Sequence, residues 1–404
     1  MSSGLVTLAE LCNRDIERFA GATWPSSSLV YIDVSAVDAS SKLISEPRTI
    51  PVETAPSRAQ SIVREGDILV STVRPNLNAV ARVPRRLNGA VCSSAFAVLR
   101  PLYPEHGDLL FCYVQSPRFI TGLMNAAQGS HYPAVNDSAV FAAQVNSSQW
   151  KDAQIGAQLK DALNTARQAV TGIDAQVRLA DQLLASQLQS EFAAGPPISA
   201  GGRLSDLSEW QDIELTSLAR LESGHTPSRR HPEWWGGQVP WLALPDIRKL
   251  HGKVAQATTE NTNDAGLRNS SARLLPVDTV CVSRTASVGF VSMLGRPMAT
   301  SQDFCNWICD PERLDPEFLM YAFMASQDYL RELGSGAVHK SIYMPTIKSF
   351  HICAPAIGEQ RRIARTLRDQ LAAAEALQNR LAERRSDIER LPQRILAAAF
   401  GDAD

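Results

Sequence analysis

The chain repeats itself at an offset of about 210 residues over most of its 404 positions. Leu5, Leu8 and Leu11 align with Leu215, Leu218 and Leu221, and Tyr31, Ile32 and Val34 align with Trp241, Leu242 and Leu244. Residues 67–71 face residues 278–282, Phe96 faces Phe304, and Phe119 faces Tyr329. Near the ends of the two halves Leu188 pairs with Leu396 and Phe192 with Phe400. Duplication at so long a period implies paired domains on one frame, not a solenoid of short repeats.

Each half closes on a helix with a heptad pattern. Leu159, Leu163, Ala166, Val170, Ile173, Val177, Ala180 and Leu184 recur at alternating spacings of four and three, an a/d seam sustained over three heptads. The second seam reads Leu367, Gln370, Ala374, Leu377, Leu381, Arg384, Ile388, Leu391 and Ile395, with Arg- and Glu-rich outer faces. A lone helix would leave such a seam in water, so the two are expected to pack antiparallel, as a pseudo-twofold repeat demands. The bland alternative packs each helix onto its own domain.

The halves that precede the helices carry short β-rich runs at 31–34, 68–73, 91–99, 239–244, 279–283 and 304–309, bounded by Pro, Gly or Asn. Helical segments at 109–127 and 316–333 follow them. The expected fold is α+β: two mixed α/β domains joined by two long antiparallel coiled-coil helices in a pseudo-twofold internal repeat. The expected boundaries are 1–149 for the first domain, 150–194 for the first helix and 195–212 for a linker rich in Gly and Pro. The second domain then takes 213–355 and the second helix 356–404.

At 44% hydrophobic the chain can fill two sizeable cores. No apolar run approaches the roughly 20 residues of a membrane span, and the first residues lack signal-peptide character, so the expected location is cytoplasmic. The seven cysteines are odd in number and scattered through apolar segments, which suits reduced core thiols. Cys305 and Cys309 form the one close pair, and without neighbouring histidines no metal is expected. The net charge of −2 gives no support by itself for nucleic-acid binding. Residues 1–149 hold 12 basic and 12 acidic side chains, and residues 203–355 hold 15 and 17, so any DNA contact must come from local clusters or from basic partners.

Catalytic signatures are missing. The sequence has no Walker loop, no His-Glu-x-x-His, no Gly-x-Ser-x-Gly and no Gly-x-Gly-x-x-Gly. No acidic residue stands two before a lysine, as in many metal-dependent nucleases, and no Asp/Asn-Pro-Pro-Tyr is present to hold a flipped base. The chain is therefore expected not to be an enzyme on its own.

Polar and basic turns remain. Thr226, Ser228, Arg229 and Arg230 lie in a loop that runs into Trp234 and Trp235. Ser283, Arg284 and Ser287 follow a β-run, as Ser71, Thr72, Arg74, Asn76 and Asn78 do in the first half. Arg85 belongs to a basic cluster with Arg82 and Arg86. His131 and Tyr132 match His339, Lys340 and Tyr343 as a third pair of Gly-led turns. Such side chains offer guanidinium forks, hydroxyls and amides to phosphates and base edges, Arg to guanine and Asn to adenine. They are the candidate DNA-binding residues, against the plainer readings of surface salt bridges for the arginines and core anchors for the tryptophans.

Gly224-His225-Thr226-Pro227-Ser228, Trp235-Gly236-Gly237, Val239-Pro240-Trp241, Asp246-Ile247 and the run Pro355-Ala356-Ile357-Gly358-Glu359-Gln360-Arg361-Arg362-Ile363 opening a heptad helix resemble the specificity subunit of type I restriction-modification enzymes. The resemblance covers essentially the whole chain, and the Pro-x-x-x-Glu-Gln-x-x-Ile helix start is its most specific part. The first helix lacks that start, reading Gln149-Trp150-Lys151-Asp152, and the first half lacks the Gly-x-Thr-Pro loop.

The resemblance implies that each recognition domain reads one half of a bipartite, asymmetric site on double-stranded DNA. It implies that the helices set the spacer and recruit two modification (methyltransferase) subunits, with Glu359, Gln360, Arg362 and Ile363 as partner-binding residues. Restriction and translocase subunits can join for cleavage. No cofactor is expected on this chain, because S-adenosylmethionine belongs to the partner. The alternatives are the specificity subunit of a bipartite type II system and a non-catalytic coiled-coil adaptor.

Overall fold

The structure is a computed structural model, and it describes residues 4–127, 133–148, 150, 152–192, 197–201, 210–335 and 341–401. The chain divides into two compact units, one of residues 1–176 with 381–404 and one of residues 177–380. Among the described residues no helix is long and apolar enough to cross a membrane.

The first unit is built around a four-stranded sheet in the order Cys12–Asn13, Phe96–Pro101, Ile68–Ser71, Val80–Arg82. A second sheet runs in the order Arg48–Pro51, Ser28–Ile32, Val91–Ser93, Ala59–Ile62. Strand Ile68–Ser71 is buried at every residue. Successive side chains of a strand point to opposite faces, so it feeds two cores at once. Ile68 and Val70 join Leu8, Leu99, Leu109 and Phe119, while Leu69 joins Ile32, Cys92 and Phe96.

The second unit repeats the plan. Its main sheet runs Ala219–Ser223, Phe304–Cys309, Val280–Ser283, Val291–Leu294, Val254–Ala255. Val280 and Val282 enter one core with Trp307, Phe318 and Phe350, and Cys281 enters another with Leu242 and Phe304. Six of the seven cysteines are buried, and burial pushes the Cys12, Cys92, Cys112 and Cys305 thiols up to about 12.

The repeat holds, but its register differs from the sequence alignment in two places. Phe96 lies opposite Ser71 and Phe304 opposite Ser283, so Ser71 corresponds to Ser283 and not to Val282. Gly66 and Asp278, both left-handed with φ of 88° and 63°, lead into these strands and fix the same register. A one-residue slip would send every side chain to the wrong face. Thr7 pairs with Gln144 and Glu214 with His351, so the fully buried Leu8 corresponds to Leu215, three residues from the alignment.

Several expected elements are divided. The run 91–99 is two strands in different sheets, Val91–Ser93 and Phe96–Pro101. The helix expected at 109–127 is Gly107–Tyr113 and Pro117–Ala126, because Pro117 cannot continue a helix but suits its first turn, where the Ser116 hydroxyl caps the Phe119 amide at 3.2 Å. The helix expected at 316–333 likewise parts into Pro316–Ala325 and Gln327–Ser335. The stretch expected as linker contributes a strand, Ile198–Ala200, paired with Phe350–Ala354.

The long helices are Ala153–Glu191 and Ile357–Phe400. Within the first unit Ile155, Leu159 and Leu163 share a core with Ile395, Leu396, Ala399 and Phe400, while Asp174 meets Arg385 at 2.8 Å. Early residues of one helix therefore face late residues of the other, an antiparallel pairing. Within the second unit Leu188 and Phe192 share a core with Ile363, Leu367 and Leu371, and the Gln378 amide donates to Asp181, again antiparallel.

All the expected seam positions of the first helix are buried or half-buried. Those of the second are not, since Leu377, Arg384 and Leu391 are exposed. The inward stripe runs instead through Gln378, Leu381, Arg385, Ile388 and Pro392. Two of these are polar residues whose heads reach acidic partners on the first helix, at Asp181 and Asp174.

Candidate nucleic-acid interface

In the second unit three segments meet at the turn 301–303. Strand Val280–Ser283 runs into the turn 284–287, where Ala286 has a φ of 52°. Ser283 closes this turn from inside, its fully buried hydroxyl donating to the Ser287 carbonyl and accepting the Phe290 amide at 3.0 Å. The Ser287 hydroxyl accepts from Arg248 Nε at 2.8 Å. Both serines, expected as readers, are thus consumed by turn construction, because a buried hydroxyl left unpaired would be costly.

Arg284 is half-buried and lies over the turn: its Nε donates to the Gln302 carbonyl at 3.2 Å and its Nη1 to the Ile342 carbonyl at 3.4 Å. A bridge between Thr285 and Ser341 ties in the third segment. From the other side Thr226 Oγ1 donates to Gln302 Oε1, while the His225 amide donates to the Thr300 carbonyl at 2.9 Å. Gly224 permits this approach, since a Cβ there would stand 2.0 Å from the Ser301 carbonyl oxygen. Gln302 and Asp303, the hub of the arrangement, carry no sequence signal beyond a short polar turn before a strand.

Arg229 is held in a cage. Its guanidinium donates twice to Glu260, at 2.6 and 2.7 Å, and lies 3.7 Å from the Trp235 ring centroid and 5.1 Å from that of Trp241. The hydrogen bonds from Arg229 lower the Glu260 pKa, and the same bonds raise that of Arg229. Arg230 and Ser228 are exposed on the same loop, Ser228 Oγ accepting the Arg230 amide at 3.3 Å. Next to them His231 stacks on Trp234 at 4.1 Å between centroids. Tyr343 is exposed just ahead of helix Met344–Lys348. His339 and Lys340 lie outside the described residues, as do His131 and Tyr132.

The first unit builds the same junction from other side chains. Ser71 Oγ donates to the Val73 carbonyl at 2.9 Å, and the Thr72 amide and hydroxyl both donate to the Ala95 carbonyl, at 2.8 and 2.9 Å. The Arg284 amide makes the matching bond to Asp303, so Thr72 stands where the second unit has Arg284. Ser71 and Thr72 are buried, whereas Arg74 and Asn76 are exposed. Arg74, at φ 49°, repeats the left-handed geometry of Ala286. Asn78 is turned inward, donating to the Val114 carbonyl at 2.9 Å and accepting from Lys42. Arg85 is exposed but displaced: it follows Arg82, which pairs with Ile68 at the end of the sheet remote from Ser71.

At the start of the second long helix Gln360 and Ile363 are buried. Gln360 Oε1 accepts the Asp315 amide at 2.9 Å, and its Nε2 donates to the carbonyls of Arg313 and Pro355 at 3.2 and 2.9 Å. These two residues therefore anchor the helix to its own unit. Glu359 and Arg362 lie outside, paired at 2.8 Å, and that pairing lowers the Glu359 pKa. In the first unit Asp152 takes the helix-start role by accepting the Gln154 amide at 2.9 Å. Gly156 then presses against the Leu109 backbone, where a Cβ would approach to 2.5 Å.

Residues 207–384 match the family model described as the type I restriction modification DNA specificity domain. The chain is 26% identical over 180 residues to the type I restriction enzyme MjaIX specificity subunit of Methanocaldococcus jannaschii, covering 44% of this chain and 41% of that protein. It is also 26% identical over 351 residues to the HindI specificity subunit of Haemophilus influenzae, covering 70% of this chain and 75% of that one. The chain thus spans less than half the length of the first of these relatives. Among solved structures, the fold is similar to a chain of a type I R-M system at a TM-score of 0.78 and 23% identity, covering 99% and 98% of the two chains. It is similar to the HsdS subunit from Thermoanaerobacter tengcongensis at a TM-score of 0.65 and 23% identity, covering 98% and 96%.

Proposed function

We propose that this chain is a type I restriction-modification DNA specificity subunit, which reads the DNA sequence and does no chemistry itself. Each unit reads one half of a bipartite, asymmetric site on double-stranded DNA. The long helices set the unspecified spacer and recruit two modification subunits, which carry S-adenosylmethionine and methylate the bound duplex.

One observation carries this reading. The two units place different side chains at one position of one junction, Thr72 in the first and Arg284 in the second, while the strands beneath keep the same register. A common frame with divergent turns is what two unlike half-sites require, because base edges are distinguished by the donors and acceptors presented to them. Neither half is rich in net positive charge, so the affinity owed to phosphates would be shared with the modification subunits.

The test is reconstitution with a type I modification (methyltransferase) subunit from the same organism, followed by mapping of modified bases. Methylation confined to one bipartite motif is expected. Methylation without such a motif overturns the reading.

A further inference from the structure

Each unit contains a cleft along its helix pair, and the two clefts differ in charge. In the second unit Lys253 and Glu375 line the cleft and form an ion pair. The spacing that relates Ile155 to Ile363 and Phe192 to Phe400 places Arg167 at the position of Glu375. Arg167 and Lys42 together line the first unit's cleft, which encloses about 470 Å³. An opposite-charge pair in one copy is thus replaced by two cations in the other.

The two cations are held in place by neutral groups. Lys42 Nζ donates to the Asn78 carbonyl and side-chain oxygens at 2.6 and 2.8 Å, and Arg167 donates to Gln115 Oε1 at 2.9 Å and Asn164 Oδ1 at 3.3 Å. The carboxylates nearby are committed elsewhere. Glu389 lines the cleft but pairs with Arg385 at 2.8 Å, and Asp38 is bound by the Ser40 and Ser41 hydroxyls at 2.7 and 2.9 Å. Burial, then the neighbouring Arg167, pulls the Lys42 pKa down to about 8, against a smaller opposing effect of Asp38.

The backbone is strained to keep this arrangement. Lys42 has a φ of 60° and Asn78 a φ of 47°, in the left-handed region that glycine enters without strain. A lysine kept in the left-handed region, where glycine would sit without strain, marks a side chain wanted for itself.

We propose that the first unit's cleft binds a phosphate-type oxyanion between Lys42 and Arg167, with the Gln393 amide as a further donor. The anion supplies the negative charge that Glu375 supplies in the second unit. A free phosphate and a phosphate of a DNA backbone offer the same chemistry. The proposal does not rest on the sequence-reading role.

The experiment is thermal melting of the full chain in inorganic phosphate against chloride of equal ionic strength. The wild-type midpoint is expected to rise with phosphate and saturate. Arg167→Glu, which installs the sister unit's ion pair, should melt higher in chloride and show at least a tenfold weaker phosphate response. Lys42→Gly, which suits the left-handed backbone at this position, should also lose the response while remaining folded. A short duplex that abolishes the phosphate response identifies the DNA backbone as the source, and persistence of the response identifies a free phosphate; either supports the site. No phosphate-specific rise in the wild type, or an equal rise in all three proteins from an adventitious ion only, overturns it. Loss of a bipartite methylation motif would leave these melting results untouched, so the two readings fail separately.

Discussion

Gln360 Oε1 accepts the backbone amide of Asp315 at 2.9 Å, and Asp315 in turn caps helix Pro316–Ala325 by accepting the Phe318 amide at 2.9 Å. The start of the long helix is therefore locked to a second helix through one buried amide. Gln360→Ala leaves the Asp315 amide and two carbonyls without this partner, and burying such groups unpaired costs about 1–3 kcal/mol. Urea unfolding should show that loss for Gln360→Ala and under about 1 kcal/mol for Glu359→Ala, whose ion pair is exposed. Equal losses would mean that Gln360 has no anchoring role.

Gly224 is expected to tolerate no side chain. Its added Cβ would lie 2.0 Å from the Ser301 carbonyl oxygen and 2.5 Å from that of Thr300, both backbone atoms. Gly224→Ala must move the loop or the 301–303 turn, and such overpacking typically costs about 1–3 kcal/mol. Amide exchange should quicken at Gln302 and Asp303 in the variant, with strand Ala59–Ile62 of the other unit unaffected. Unchanged exchange at the turn would contradict the packing.

The sequence made the two-domain plan and the first helix seam readable because those depend on apolar spacing alone. The second seam was misplaced at Leu377, Arg384 and Leu391 because spacing cannot see that Gln378 and Arg385 are drawn inward by Asp181 and Asp174. The strand register slipped by one because Ile68–Ser71 and Val280–Ser283 are buried on both faces. Such strands lack the alternation that would fix their phase. The polar turns were found as loops, but their serines were assigned outward when the structure spends them on closing the turns. Gln302 escaped notice since its importance comes from Thr226 and Arg284, 76 and 18 residues away in sequence.

The Arg229 cage should respond to acid. Glu260 has its folded-state pKa depressed below the ordinary 4.5 by its bonds to Arg229. A depressed carboxylate stabilises the folded state above its unfolded pKa, and that contribution disappears as pH falls through the folded value. The pair is about half exposed, so the effect is screened by water and salt. Glu260→Gln should therefore flatten the acid limb of the melting midpoint below pH 4.5 and leave the neutral limb parallel to wild type. Acid limbs that superimpose would show that the pair contributes nothing to folding.

Arg284 offers the sharpest separation between scaffold and reading. Its guanidinium already bonds the Gln302 and Ile342 carbonyls at 3.2 and 3.4 Å, which aims the fork without exhausting its donors. Arg284→Ala should then relax one position of the half-site read by the second unit, at about 1–3 kcal/mol of lost discrimination, and leave the other half-site intact. Methylation mapping of the reconstituted complex measures both halves in one sample. A complementary exchange, Thr72→Arg, should alter only the half-site read by the first unit, because Thr72 makes the backbone bond to Ala95 that Arg284 makes to Asp303. If either substitution changed both half-sites together, the effect would be on assembly, and Arg284 would not be a reader.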